Sequence, residues 1–165
     1  MLTGTLTPAD WRQAMGYFPS GVTIVTTWDG EEPVGSTINA FCSVSLDPPL
    51  LLICLDLKNP IREAFERAGV FGVNFLPEHG LGIARRFDRE PLTDRFTEFD
   101  HGCAPGGAPQ LKDAPVFVDC KVEQIHTAGD HLIVVGRGVR IAHTPGVTPL
   151  LYHGGQFPTL TPRES

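Results

Sequence analysis

Apolar and polar positions recur along this chain with two periods, and the switches between them mark its elements. After Thr7-Pro8-Ala9-Asp10, a Thr cap with Pro in the first turn and an early acid, Trp11, Ala14, Met15 and Phe18 fall at helical spacing. They predict a helix with one apolar face, ended by Pro19-Ser20-Gly21. Residues 22–28, VTIVTTW, are β-branched and predict a strand, and Asp29-Gly30 behind them is a turn signal. Residues 35–45 are unusually rich in small and hydroxylic side chains: Gly35, Ser36, Thr37, Asn39, Ala40, Ser43 and Ser45. The break Asp47-Pro48-Pro49 separates them from a fully apolar strand at 50–55.

Asn59 then reads as a helix cap, with Pro60 at the first helical position and Ile61, Ala64, Phe65 and Ala68 as the apolar face. Gly69 ends that helix. Residues 70–76 predict a second buried strand, and 77–87 a short helix ending in Arg85-Arg86. Residues 88–109 mix charges, glycines and prolines. They predict a long excursion around Asp94-Arg95-Phe96, a candidate mobile loop of functional use. Residues 116–123 alternate: the valines and Cys120 on one face, Asp119, Lys121 and Glu123 on a wet face. Gly129-Asp130 predicts a hairpin into a returning strand at 131–142. About six strands joined mainly by hairpins, with two or three helices and no strict βαβ alternation, predict a mainly β fold. An antiparallel barrel with helices at its ends fits that pattern.

Composition narrows the function. The 165 residues predict one domain, with its core at about 8–157. A net charge of −6 argues against nucleic acid as a partner. No apolar run approaches the roughly 18 residues of a membrane span, and the N-terminus shows no leader pattern, so a cytoplasmic protein is expected. Cys42, Cys54, Cys103 and Cys120 are far apart and form no CxxC pair. That argues against structural zinc and for free thiols. No nucleophile elbow, metal-binding helix motif, phosphate loop or dinucleotide fingerprint is present.

Three features remain as candidate chemistry. Ser36, Thr37 and Asn39, with Lys58-Asn59-Pro60 downstream, can present hydroxyls, backbone donors and a helix start to a flat, polar-edged ligand; on composition alone the plainer reading, a polar edge strand before an ordinary capped helix, is favoured. His131, at the mouth of a hairpin, is a donor or general acid, or a surface turn residue. Arg85 and Arg86, with Arg95 nearby, suit a phosphate, or form a solvated helix end.

Five blocks in order carry a resemblance: GVTIVTT at 21–27, GSTINAFCSVSLDPPLLLICL at 35–55, FGVNFL at 71–76, GDHLIVVGRGV at 129–139 and PLLYHGGQF at 149–157. Together they closely resemble the short flavin reductase family, over nearly the whole chain. The resemblance implies a homodimeric FMN-binding split β-barrel, antiparallel and Greek-key-like, with a few flanking helices. It implies oxidation of NADH or NADPH, reduction of FMN or FAD, and delivery of reduced flavin to a partner monooxygenase. Ser36, Thr37, Asn39, Ala40 and Phe41 would line the flavin ring, with Thr37 near its reactive edge. Cys54 and Leu55 would offer backbone groups. Lys58 and Asn59, with Arg85 or Arg86, would lie near the phosphate. His131, Tyr152 and Gly154 would flank the nicotinamide. The chain departs from the family at Asn59, where many relatives carry Ser or Thr, and at His79, where many carry Gln. The rival reading keeps the fold and makes the chain a tightly FMN-bound electron carrier without nicotinamide oxidation.

Overall fold

Seven strands form one antiparallel sheet in the order β3-β2-β6-β9-β10-β5-β4. The computed structural model describes residues 4–161. The sheet comprises β2 (Thr23–Asp29), β3 (Glu32–Ile38), β4 (Phe41–Leu46), β5 (Pro49–Asp56), β6 (Val70–Phe75), β9 (Val116–Ala128) and β10 (His131–His143). Its two edge strands, β3 and β4, are consecutive in the chain. Alternate residues of the sheet, among them Val25, Val34, Ile53, Phe71, Cys120 and Val134, pack into one core, so the sheet is curled around its own interior. That is the mainly β, antiparallel barrel expected, with one strand more than the hairpin count.

Two short ribbons complete it. β1 (Ser20–Gly21) pairs with β11 (Leu151–Tyr152), and β7 (His101–Gly102) with β8 (Gln110–Leu111). A second core lies on the outer face of β2, where Ile24, Ala84, Phe87, Phe96, Leu111 and Leu150 join helix α3 (Leu81–Arg89) and the 92–111 segment to the barrel. Burying apolar surface on both faces of β2 explains its continuous β-branched run.

Helix α1 (Pro8–Gly16) starts as expected: Thr7 Oγ1 accepts the Asp10 N–H, and the Asp10 carboxylate accepts the Thr7 N–H (3.1 Å). Its apolar face is not buried in the chain's own core; Trp11 is 56% exposed and Phe18, just beyond the helix, 79%. Helix α2 (Arg62–Ala68) ends on Gly69 at φ 68°, a left-handed cap that only glycine adopts without strain. Its start corrects the expected cap. Asn59 lies before the helix, takes the Ile61 N–H on Oδ1 (3.2 Å) and donates Nδ2 to Ser36 Oγ (2.9 Å), tying the turn to the barrel.

Two further expectations change. Asp119 does not face water: it is 1% exposed, accepts the Ala108 N–H (3.0 Å) and pairs with Arg140. The excursion folds over that side of β9 and replaces solvent. Its centre is anchored too, because Arg95 and Phe96 are 6% and 9% exposed.

Candidate ligand cleft

A cleft of about 710 Å³ opens between the β3 end, helix α3 and the tail after β11. Thr37, Asn39, Arg85 and Tyr152, which come from three separated stretches of chain, share its lining. Its volume lies within the roughly 300–1,000 Å³ usual for small-molecule sites.

Each wall has a local cause. Along β3, Val34, Ser36 and Ile38 point into the barrel, so Thr37 points out toward α3. There its hydroxyl donates to Ala84 O at 2.6 Å. The donor is used, and the oxygen lone pairs remain as an acceptor. Asn39 sits at the break between β3 and β4, with its amide 3.3 Å from Ser20 Oγ. On α3, Leu81, Ala84, Arg85, Asp88 and Arg89 recur at spacings of three and four, so one helix face supplies an apolar base and a charged rim. Tyr152 meets Phe157 edge-on, with ring centroids 5.5 Å apart, and the two rings form the far wall.

The paired arginines separate. Arg85 is exposed on the cleft and has no ion pair among the described residues. Arg86 points away: it donates to Asp94 O (2.7 Å), Thr97 Oγ1 (2.8 Å) and Glu98 (2.7 Å), and lies over the Phe99 ring. Arg86 therefore holds the excursion, and Arg85 with Arg89 lines the cleft.

The other expected residues form a second group at the β5–β10 end. Ser36 is buried and bonded to Asn59. Cys54 N–H donates to Ala40 O (3.0 Å), so that backbone donor is spent within the sheet, and burial pushes the Cys54 thiol up. Leu55 is a core residue, and Phe41 packs edge-on against Phe75. Lys58 is exposed, and its N–H donates to Asp56 Oδ1 (2.7 Å). His131 pairs across the ladder with Asp56 and donates Nδ1–H to Asp130 (2.7 Å). That hydrogen bond is the largest influence holding the Asp130 carboxyl below its usual range. The Asn59–Ser36 bond links this group to β3 one residue from Thr37, but His131 does not line the cleft. Gly154 sits behind Tyr152, its N–H donating to Gly16 O (2.9 Å), where it seats α1.

Sequence reasoning missed Leu81, Ala84, Asp88, Arg89, Gln156 and Phe157. The signal for the helical set was present: extending the 3–4 spacing past Phe87 reaches Arg89. Among the described residues no group of three or more His, Cys, Asp or Glu side chains is placed to hold a metal, and no helix is long and apolar enough to cross a membrane.

The donor set fits a flavin. Apolar side chains and two aromatic rings suit a flat heteroaromatic face, Thr37 and Asn39 suit its polar edge, and Arg85 and Arg89 suit a phosphate. A curled antiparallel barrel with such a cleft at its helix-covered edge defines a small-ligand-binding β-barrel with room for a phosphorylated aromatic cofactor. The chain belongs to the flavin reductase like domain family, whose sequence profile matches residues 15–161. It is 36% identical over 156 residues to the flavin-dependent monooxygenase reductase subunit HsaB of Rhodococcus jostii, covering 94% of this chain and 79% of that one. It is 37% identical over 147 residues to the FMN reductase (NADH) SmoA of Agrobacterium fabrum, covering 89% and 83%. The solved structure of the Streptomyces globisporus NADH:FAD oxidoreductase SgcE6 in complex with NAD and FAD fragments superposes with a TM-score of 0.90 at 31% identity, over 99% of this chain and 100% of that one.

Proposed function

We propose that this chain is an NAD(P)H:flavin oxidoreductase that moves hydride from NADH or NADPH to FMN or FAD and supplies reduced flavin to a partner monooxygenase. The observation that carries the reading is the cleft that gathers Thr37, Asn39, Arg85 and Tyr152 from distant parts of the chain. The relatives support it: HsaB is named as a reductase subunit of a monooxygenase, and SmoA as an NADH-dependent FMN reductase.

When bound, flavin and nicotinamide supply the hydride chemistry themselves. The chain's part is to bind, orient and exclude water. Val22, Leu81 and the Tyr152–Phe157 pair give the ring faces an apolar wall. Thr37, held against Ala84 O, offers its oxygen as an acceptor at the ring edge. Asn39 adds an amide, and Arg85 with Arg89 attracts the phosphate. Ser36, Ala40, Phe41, Cys54 and Leu55 shape the strands beneath, while Lys58 and Asn59 extend the polar side at the α2 start. His131, its Nδ1 fixed by Asp130, keeps Nε2 for the nicotinamide carboxamide. This sparse set explains why no triad or carboxylate pair occurs in the sequence.

A homodimer belongs to the same reading. Trp11 and Phe18 near α1, and Leu46, Val139 and Ile141 on β4 and β10, are exposed apolar side chains of the kind an interface covers; Leu46 is 93% exposed. Mixing purified protein with NADH or NADPH and FMN or FAD, and following the nicotinamide absorbance, tests the activity. Flavin-dependent oxidation is expected. Tightly co-purified FMN that neither nicotinamide reduces would instead make the chain an electron carrier.

A further inference from the structure

We propose that Arg95 is a positioning residue for the flavin cleft: its guanidinium clamps the two walls, strand β3 and the C-terminal end of helix α3, at a set separation. The inference rests on the flavin reading above and adds a residue that reading does not use.

Arg95 follows the short turn after α3 and points back into the fold, with 6% of its surface exposed. Nη1 donates to Gly35 O at 2.6 Å, and Nε donates to Glu90 O at 2.8 Å. Gly35 lies two residues before Thr37 on β3, and Glu90 immediately follows α3. One planar cation therefore bridges both walls of the cleft. The Thr37–Ala84 bond is the second tie between them (2.6 Å), and on the helix side the two ties, at Ala84 and Glu90, fall before and after Phe87 in the chain. A Cβ on Gly35 would meet Phe87 Cε1 at 2.9 Å, so strand and helix are already in contact there. From the far side Arg86 grips Asp94 O, which holds the turn carrying Arg95.

The chemistry argues for a specific use. Burying a guanidinium is unfavourable unless its charge is compensated. Among the described residues Arg95 has no carboxylate within 4.0 Å. Desolvation lowers its pKa, opposed by the charge of Asp88, which itself lines the cleft. Carbonyls on two separate elements are what the buried cation satisfies. The rigid fork of arginine spans both, whereas a lysine ammonium is a single point of donation.

The test compares wild type, Arg95→Lys and Arg95→Ala by FMN fluorescence titration, steady-state kinetics and thermal melting. For Arg95→Lys, FMN binding weakens by about tenfold, as expected for losing one arm of a charge-assisted bridge. The KM for FMN rises in step, while kcat at saturating FMN and the KM for NADH stay within about twofold. Arg95→Ala loses more, and added methylguanidine restores part of its FMN binding. If Arg95→Ala does not fold, Arg95→Lys decides alone. An Arg95→Lys protein that binds FMN like wild type overturns the proposal. So does one that loses kcat at unchanged FMN KM, since that pattern reports lost folded enzyme. Wild type that binds neither FMN nor FAD removes the flavin reading and this inference with it, a failure seen before any variant is made.

Discussion

Neighbouring arginines with opposite duties give the sharpest test of the cleft. Arg85→Met removes the charge facing the cleft and keeps an apolar stem. Arg85 has no protein ion pair among the described residues, so the fold loses little. A charge-assisted contact to phosphate contributes about 1.5–3 kcal/mol when sheltered. At an exposed rim about 0.5–1 kcal/mol is the better figure, or roughly 2–5-fold in affinity. Riboflavin lacks the phosphate, so the preference for FMN over riboflavin falls by that factor, and raising salt in the wild type erodes the same preference. Arg86→Met does the reverse. It deletes bonds to Asp94 O (3.2 and 2.7 Å), Thr97 (2.8 Å) and Glu98 (2.7 Å). Glu98 is 73% exposed and adds little, so the loss is about 2 kcal/mol, or roughly 4–8 °C in Tm. Fluorescence titration with both flavins, beside a melt of each variant, reads the two effects. The reasoning fails if Arg85→Met keeps the full FMN preference, or if Arg86→Met abolishes it at unchanged Tm.

Other outcomes follow from the same geometry. His131→Ala lowers kcat/KM for NADH by roughly tenfold with FMN affinity nearly unchanged; an equal loss of both, or no loss, removes its nicotinamide role. In the folded protein iodoacetamide alkylates exposed Cys42 and Cys103 first, Cys54 slowly, and Cys120 only on unfolding, because burial pushes that thiol up to about 12; mass spectrometry that finds Cys120 labelled in native protein contradicts this. The carboxyls of Asp10, Glu123 and Asp130 are held low, chiefly by hydrogen bonds from Thr7, Arg137 and His131. A depressed folded pKa contributes stability above the unfolded value, near 4, and the contribution is lost as pH falls through the folded pKa. Melting temperature therefore drops below about pH 4, and Glu123→Gln with Asp130→Asn flattens that limb; an unchanged limb refutes it.

Local chemistry was legible where it is settled locally. Thr7 and Asp10 form the cap their spacing predicts, Gly69 ends α2, and Gly129-Asp130 turns β9 into β10. Tertiary partners were not. Asp119 alternates as a solvent-facing residue, and nothing nearby in sequence reveals that Ala108 and Arg140 enclose it. Asn59 has the composition of a cap, but Ser36, far upstream, claims its amide. The charged mixture at 88–109 hid the buried Arg95, whose partner Gly35 lies far upstream on β3 while Glu90 sits within the same stretch at the end of α3. Spacing alone could not bring Thr37, Arg85 and Tyr152 together. The ordered blocks of the family resemblance carried Thr37 and Tyr152, and the resemblance offered Arg85 or Arg86 for the phosphate without choosing between them; it also grouped His131 with Tyr152, which the chain's own cleft does not do.

Hydrogen–deuterium exchange with and without FMN tests the central claim most directly, because it locates the ligand without altering the chain. FMN is predicted to slow exchange across 36–41 and along helix α3. Saturable FMN binding that leaves both segments unchanged, with protection instead around Trp28, Gly30 and Arg67 where another cleft opens, would contradict the account.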